Sequence, residues 1–238
     1  MFPLYDENRP VLRPLINYAL IAANVFVFFY FFLQGLGALE RAIRTFGMTP
    51  LYVLQGQRLW TILTSMFLHA DLMHLGGNML YLYIFGDNVE DAFGHLRYLL
   101  FYLACGVGAT VWHIASIMIS LPAARALSLA IPAVGASGAI SGVLGAYMVL
   151  YPHARIRTLV ISWFVHVITV PAYYYIGIWF IYQLAMGLFS LTGLFSNIAF
   201  WAHIGGFVTG VAAVKLLGVK PRRRRVVYRI YYVPTWGY

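Results

Sequence analysis

Charge is the first thing this sequence lacks. Only 10% of its 238 residues are Asp, Glu, Lys or Arg, and just 7 are acidic. With 62% hydrophobic residues and a mean hydropathy of +0.78, there is too little charge to cover a water-facing surface, so the solvent is mainly lipid. Cysteine is nearly absent as well. Cys105 is the sole example, which excludes an intramolecular disulfide, and its apolar surroundings predict a small buried side chain. No HExxH pair occurs, and His69 and His74 are five apart, so zinc-protease spacing is missing. The GASGAISG stretch has no Lys-Ser/Thr ending and is not a phosphate loop. The formal charge is +9, but the basic residues gather at the ends and in short connections rather than in a stripe. That distribution sets topology and argues against nucleic acid as a partner.

Long apolar runs are abundant. Charge-free segments cover Pro14 to Gln34, Leu72 to Gly86 with continuation to Phe93, Tyr98 to Ile119 and Ala133 to Tyr151, each near the ~20 residues a spanning helix needs. From Thr158 to Val214 there is again no Asp, Glu, Lys or Arg. Pro171 and the stretch from Thr192 to Asn197 divide this region into spans at Pro171 to Ser190 and Ile198 to Leu217. Thr158 to Val170 is left as an interfacial or re-entrant piece. Six spans follow, with both termini on one side.

Arg9, Arg13, Arg97, Arg155, Arg157, Lys215 and the basic tail fall on that side, against Arg41, Arg44, Arg58 and Arg125 opposite. The positive-inside rule makes it cytoplasmic. The expected fold class is thus an all-α integral membrane bundle of six helices. A long, partly interfacial external loop, Gly35 to Asp71, joins helices one and two. The expected divisions are a cytoplasmic N-terminal segment (1–13), a membrane domain (14–217) and a basic cytoplasmic tail (218–238). The N-terminus lacks a cleavage site after its first apolar stretch, which is expected to stay as a span. The tail PRRRRVVYRIYYVPTWGY reads as an anchor to anionic membrane lipid.

Hydrocarbon penalises unpaired polar groups, so polar residues inside spans matter most. His74 and Asn78 are i and i+4 in span two and share one helix face. Ser137 opens span four, and His203 lies early in span six. Spans two, four and six all run inward from the outer face, so these four residues share one depth, on the order of 5 to 10 Å in at ~1.5 Å per residue. Gly135, Gly138, Gly142 and Gly145 on span four, with Gly206 and Gly210 on span six, form small-residue faces that permit close approach. Ser137 and His203 flank this seam, which suits a serine nucleophile activated by a neutral imidazole. No Asp or Glu lies in spans four to six, so a dyad is expected rather than a triad. His74, Asn78 and the Ser137 N–H are candidate oxyanion donors. A transporter path would carry polar residues through its whole depth, whereas these cluster near one face.

Three motifs now resemble those of a known family, the rhomboid intramembrane serine proteases. Gly135-Ala136-Ser137-Gly138 is similar to the family's GxSG motif, His69 to Asn78 to its H-x4-H-x3-N element, and Ala202 to Gly210 to AHxxGxxxG. The resemblance implies a Ser137 and His203 dyad with His74 and Asn78 assisting the oxyanion. It implies hydrolysis of peptide bonds in or near transmembrane segments of other membrane proteins, at small residues in locally unstable helices, with no metal or other cofactor. The expected location is the plasma membrane of a prokaryote. A pseudoprotease relative would be expected to lack Ser137 or His203. Two departures stand out. Ser141 occupies the place of an aromatic that packs against the catalytic histidine in many rhomboids, and the family's Trp-Arg loop pair is altered to Arg58-Leu59-Trp60-Thr61.

Overall fold

The computed structural model describes residues 2–161, 164–192 and 198–222. Strand β1 (Phe2–Asp6) precedes helix α1 (Leu15–Phe32). The first long connection holds α2 (Leu36–Phe46), α3 (Pro50–Leu54), α4 (Thr61–Thr64) and a 3₁₀ turn (Ser65–Phe67). There follow α5 (Leu72–Phe93), α6 (His95–Ile119), α7 (Pro122–Ala130) and α8 (Ser137–Leu150). Strands β2 (Arg155–Ile161) and β3 (Val165–Pro171) lead to α9 (Ala172–Ser190) and α10 (Phe200–Leu216).

Among the described residues three helices, α1, α6 and α9, are long and apolar enough to cross a membrane. The apolar helices α8 and α10 are shorter. At ~1.5 Å per residue, the 14 residues of α8 reach ~21 Å against a hydrocarbon core of ~30 Å. Residues 133–136 do not extend the helix, because Met48 and Ala133 exchange backbone hydrogen bonds of 3.0 and 2.8 Å and Gly135 N–H donates to Ser65 O at 2.9 Å. Helix α5 has the expected extension to Phe93, but its last turns carry Asp87, Glu90 and Asp91.

The all-α expectation is corrected by a three-stranded antiparallel sheet in the order β1-β2-β3. The segment read as interfacial or re-entrant, Thr158 to Val170, supplies most of β2 and β3. The β-branched residues of the two strands, Ile156, Thr158, Val160, Ile161, Val165, Val167, Ile168, Thr169 and Val170, favour the pleated conformation. The basic aromatic tail from residue 223 onward, like Gly193 to Asn197 of the expected divide, lies outside the described residues.

The core is aromatic and layered between α1, α5, α6 and α8, with Phe28, Leu82, Phe85, Tyr98, Tyr102 and Tyr147 fully buried. Cys105 is fully buried there as a free thiol, against Gly142. At the far end from the site, the Glu90 carboxylate accepts from Ile16 N–H at 3.0 Å and Asn17 N–H at 2.7 Å. It caps α1 from another helix, where the first-turn donors have no partner of their own. Asp6 of β1 accepts from the Asn88 amide at 2.9 Å and from the Tyr147 hydroxyl at 2.5 Å, joining the sheet to α5 and α8.

Candidate active site

The seam between α8 and α10 is the most extensive helix contact among the described residues. A Cβ on Gly206 would land on the Gly138 carbonyl and one on Gly210 on the Gly142 carbonyl. One on Gly145 would meet Phe207 O at 2.5 Å. No flexible side chain stands in these places to yield, so glycine is required for the backbones to touch.

That approach brings Ser137, in the first turn of α8, opposite His203, in the first turns of α10. The Ser137 Oγ and His203 Nε2 are 2.9 Å apart, a normal hydrogen-bond length. The other ring nitrogen, Nδ1, lies 2.8 Å from Gln183 Oε1 of α9. A carbonyl oxygen can only accept, so this orientation of the amide suits the tautomer that carries its proton on Nδ1. Nε2 is left with its lone pair toward the serine hydroxyl. Gln183 is 5% exposed and is not among the candidates the sequence offers when the third member of a triad is expected to be a carboxylate. The signal available was a lone amide inside an otherwise apolar span.

His74 sits beside this pair. A Cβ on Gly135 would meet His74 Nε2 at 2.7 Å and Ser137 Oγ at 3.6 Å, and Gly135 adopts φ +123°, a conformation that only glycine holds without strain. The empty space at Gly135 therefore admits both side chains. Asp71 caps α5 by accepting from His74 N–H at 2.8 Å, which sets where the His74 ring starts. His69 packs edge-on against His74 with ring centroids 5.0 Å apart. Burial, reinforced by the nearby His74, lowers the His69 pKa to about 3. Asn78, one turn beyond His74, is buried, and its amide nitrogen has no hydrogen-bond partner among the described residues. The structure thus gathers Ser137, His203 and His74, with Asn78 a turn further along α5.

The two departures have structural answers. Ser141 is buried and its hydroxyl donates to Ser137 O at 2.6 Å, so that hydroxyl is spent on the helix backbone. The aromatic beside His203 comes from another helix: Trp179 of α9, with centroids 6.2 Å apart. Trp179 and Gln183 are i and i+4, so one face of α9 presents both to the imidazole. In the long loop, the Arg58 guanidinium donates to Arg44 O at 3.2 Å and to Thr45 O, and it lies 5.1 Å over the Tyr52 ring and 5.7 Å over Trp60. This fastens the loop whose Ser65 holds Gly135.

Apolar helices with their polar side chains converging at one end define a multi-helix membrane protein with a site built among its helices. The Rhomboid domain model matches residues 55–220, and the chain belongs to the rhomboid family. It is 32% identical over 170 residues to RHOMBOID-like protein 6, mitochondrial, of Arabidopsis thaliana, covering 71% of this chain and 47% of that one. It is 30% identical over 210 residues to Rhomboid protease GluP of Bacillus subtilis (strain 168), covering 87% and 36%. Against Rhomboid protein 1, mitochondrial, of Saccharomyces cerevisiae, identity is 29% over 199 residues, covering 82% and 51%. The chain spans about half or less of the length of these relatives. Bacterial and mitochondrial names occur side by side, so the family assigns a membrane but not the prokaryotic plasma membrane in particular.

Proposed function

We propose that this protein is an intramembrane serine endopeptidase that hydrolyses peptide bonds in or near transmembrane segments of other membrane proteins. The observation that carries this reading is the 2.9 Å contact between Ser137 Oγ and His203 Nε2 at the end of two apolar helices. In this scheme Ser137 Oγ attacks the substrate carbonyl carbon as His203 Nε2 takes its proton. The oxyanion that develops is met by the Ser137 N–H, which has no acceptor within its own helix, and by the Asn78 amide and the His74 side chain. The imidazolium then gives its proton to the leaving amine, and an acyl-enzyme remains on Ser137. Water attacks the ester as His203 accepts its proton, and the tetrahedral adduct collapses with His203 giving that proton to Ser137 Oγ as the Oγ–C bond breaks, which releases the carboxyl product and restores free serine and neutral imidazole. A cavity of about 50 Å³ beside Ser137, mostly apolar but with Ser65, Thr110 and His113 in its wall, has room for a water-sized group.

The membrane arrangement that accompanies this reading has six spans: α1, α5, α6, α8, α9 and α10. Residues 14–217 form the membrane domain, and both termini are on the cytoplasmic side by their Lys and Arg excess. Ser137, His203, His74 and Asn78 then lie beneath the outer boundary. Substrates would reach them through lipid and unwind locally, since an intact helix hides its carbonyls.

The test is covalent labelling of the full chain in detergent micelles with a fluorophosphonate, which reacts with an activated serine. Wild type is expected to label, and Ser137→Ala and His203→Ala are expected to lose labelling and cleavage of a model transmembrane substrate while remaining folded. Full labelling or cleavage in either variant removes the assigned pair.

A further inference from the structure

We propose that Gln183 is a positioning residue for His203, the neutral third member of a Ser137, His203, Gln183 relay in which an amide stands where serine proteases on other folds place a carboxylate. This rests on the reading of Ser137 and His203 as the reacting pair.

The geometry supplies each part. His203 Nε2 faces Ser137 Oγ at 2.9 Å and His203 Nδ1 faces Gln183 Oε1 at 2.8 Å, so the ring is held at both nitrogens and cannot rotate about its long axis without breaking both bonds. The acceptor on Nδ1 selects the tautomer whose Nε2 is basic toward the serine, the work done by the third residue of a triad. Turned the other way, the amide would present N–H to Nδ1, force the ring proton onto Nε2, and leave no base facing Ser137.

Medium explains the choice of side chain. A carboxylate buried among apolar helices without a cation carries a heavy desolvation cost, and spans four to six hold no Asp or Glu. An amide oxygen offers the same hydrogen bond without a charge. Trp179, one turn earlier on α9, lies against the same imidazole, so α9 contributes both a polar and an apolar restraint to a base carried by α10.

Two readouts on the full-length protein in micelles separate this role from a structural one. Histidine ¹⁵N NMR, with the His203 signals assigned by loss in a His203 variant, reports which ring nitrogen holds the proton. Fluorophosphonate labelling reports the reactivity of Ser137. In wild type and Gln183→Glu, neutral His203 is expected to hold its proton on Nδ1. In Gln183→Leu the proton is expected to redistribute between the nitrogens and the labelling rate to fall about 10- to 100-fold. That loss is smaller than the ~10⁴-fold seen when a triad histidine is forced into the wrong tautomer. Gln183→Met, of similar length and without a carbonyl, serves if the leucine variant folds poorly. A leucine or methionine variant that keeps the wild-type tautomer and labelling rate overturns the positioning role while leaving the Ser137 and His203 reading intact. Wild type that fails to label, even with a Gln183-dependent tautomer, overturns the protease reading and the positioning role with it.

Discussion

At the scale of single residues, polar groups in this bundle are few and several have an identifiable task. Ser141 donates into its own helix, Asp71 caps α5, and Glu90 caps α1. Asn78 differs: its buried amide nitrogen, like both ring nitrogens of His69 and the Nε of Arg125, has no hydrogen-bond partner among the described residues. A buried, unpaired donor costs on the order of 1 to 3 kcal/mol, which fits a group reserved for a charge that exists only during reaction. Asn78→Ala is therefore expected to lower kcat by about 10²- to 10³-fold, the usual effect of removing one oxyanion donor, with little change in KM. Steady-state cleavage of a transmembrane substrate measures the two separately, and a change confined to KM counts against the role. His74, Asn78, Ser137 and His203 could all be picked from the sequence because a polar side chain is conspicuous in an apolar span. Gln183 is equally conspicuous but uncharged, so a test for Asp or Glu in spans four to six does not reveal it.

Helices α8 and α10 set the site's dimensions. Their glycines place Gly206 on the Gly138 carbonyl, three residues from His203 on one side and one residue from Ser137 on the other. A methyl group there has backbone to displace and nothing soft to push. Gly206→Ala is expected to destabilise by about 1 to 3 kcal/mol through overpacking and to cut labelling of Ser137 by more than about tenfold, since a shift of ~1 Å in reacting groups carries large rate penalties. Gly177 of α9 has open space where its Cβ would be. Gly177→Ala is expected to be neutral, or stabilising by up to ~1 kcal/mol from helix propensity. Thermal unfolding in micelles and labelling rates on the two variants test the contrast. The glycine faces could be read from spacing, whereas the sheet could not. Its β-branched residues are also common in apolar spans, and strand pairing between Phe2–Asp6 and Arg155–Ile161 joins segments remote in sequence.

Across the whole molecule, the sheet fastens the N-terminal segment to the end of α8 opposite Ser137. The link is Asp6, whose carboxylate meets Tyr147 and Asn88, with Asp87 bonded to the same Asn88 amide. Burial raises the Asp6 pKa from 3.8 to about 6, with the Tyr147 hydroxyl opposing. A carboxyl whose pKa is higher folded than unfolded binds its proton better in the folded state. Its contribution is complete below about pH 4 and is lost as pH rises through about 6. Allowing for its partial exposure, the effect is on the order of 2 kcal/mol. Asp6→Asn removes the titration. The thermal midpoint of wild type is expected to match that of the variant near pH 4 and to fall below it by pH 7. A difference that stays constant between those values would exclude Asp6 as the source.

The amino-acid sequence by itself determined that the chain lives in lipid, where its long apolar helices run, and which side chains could do chemistry, because hydrocarbon makes apolar length and isolated polar groups legible one residue at a time. Tertiary structure alone decided what each polar group meets: Gln183 on one imidazole nitrogen and Ser137 on the other, Trp179 in place of the missing local aromatic, Glu90 on the start of α1. Those pairings depend on distances between segments far apart along the chain, and a one-dimensional pattern carries no such distances.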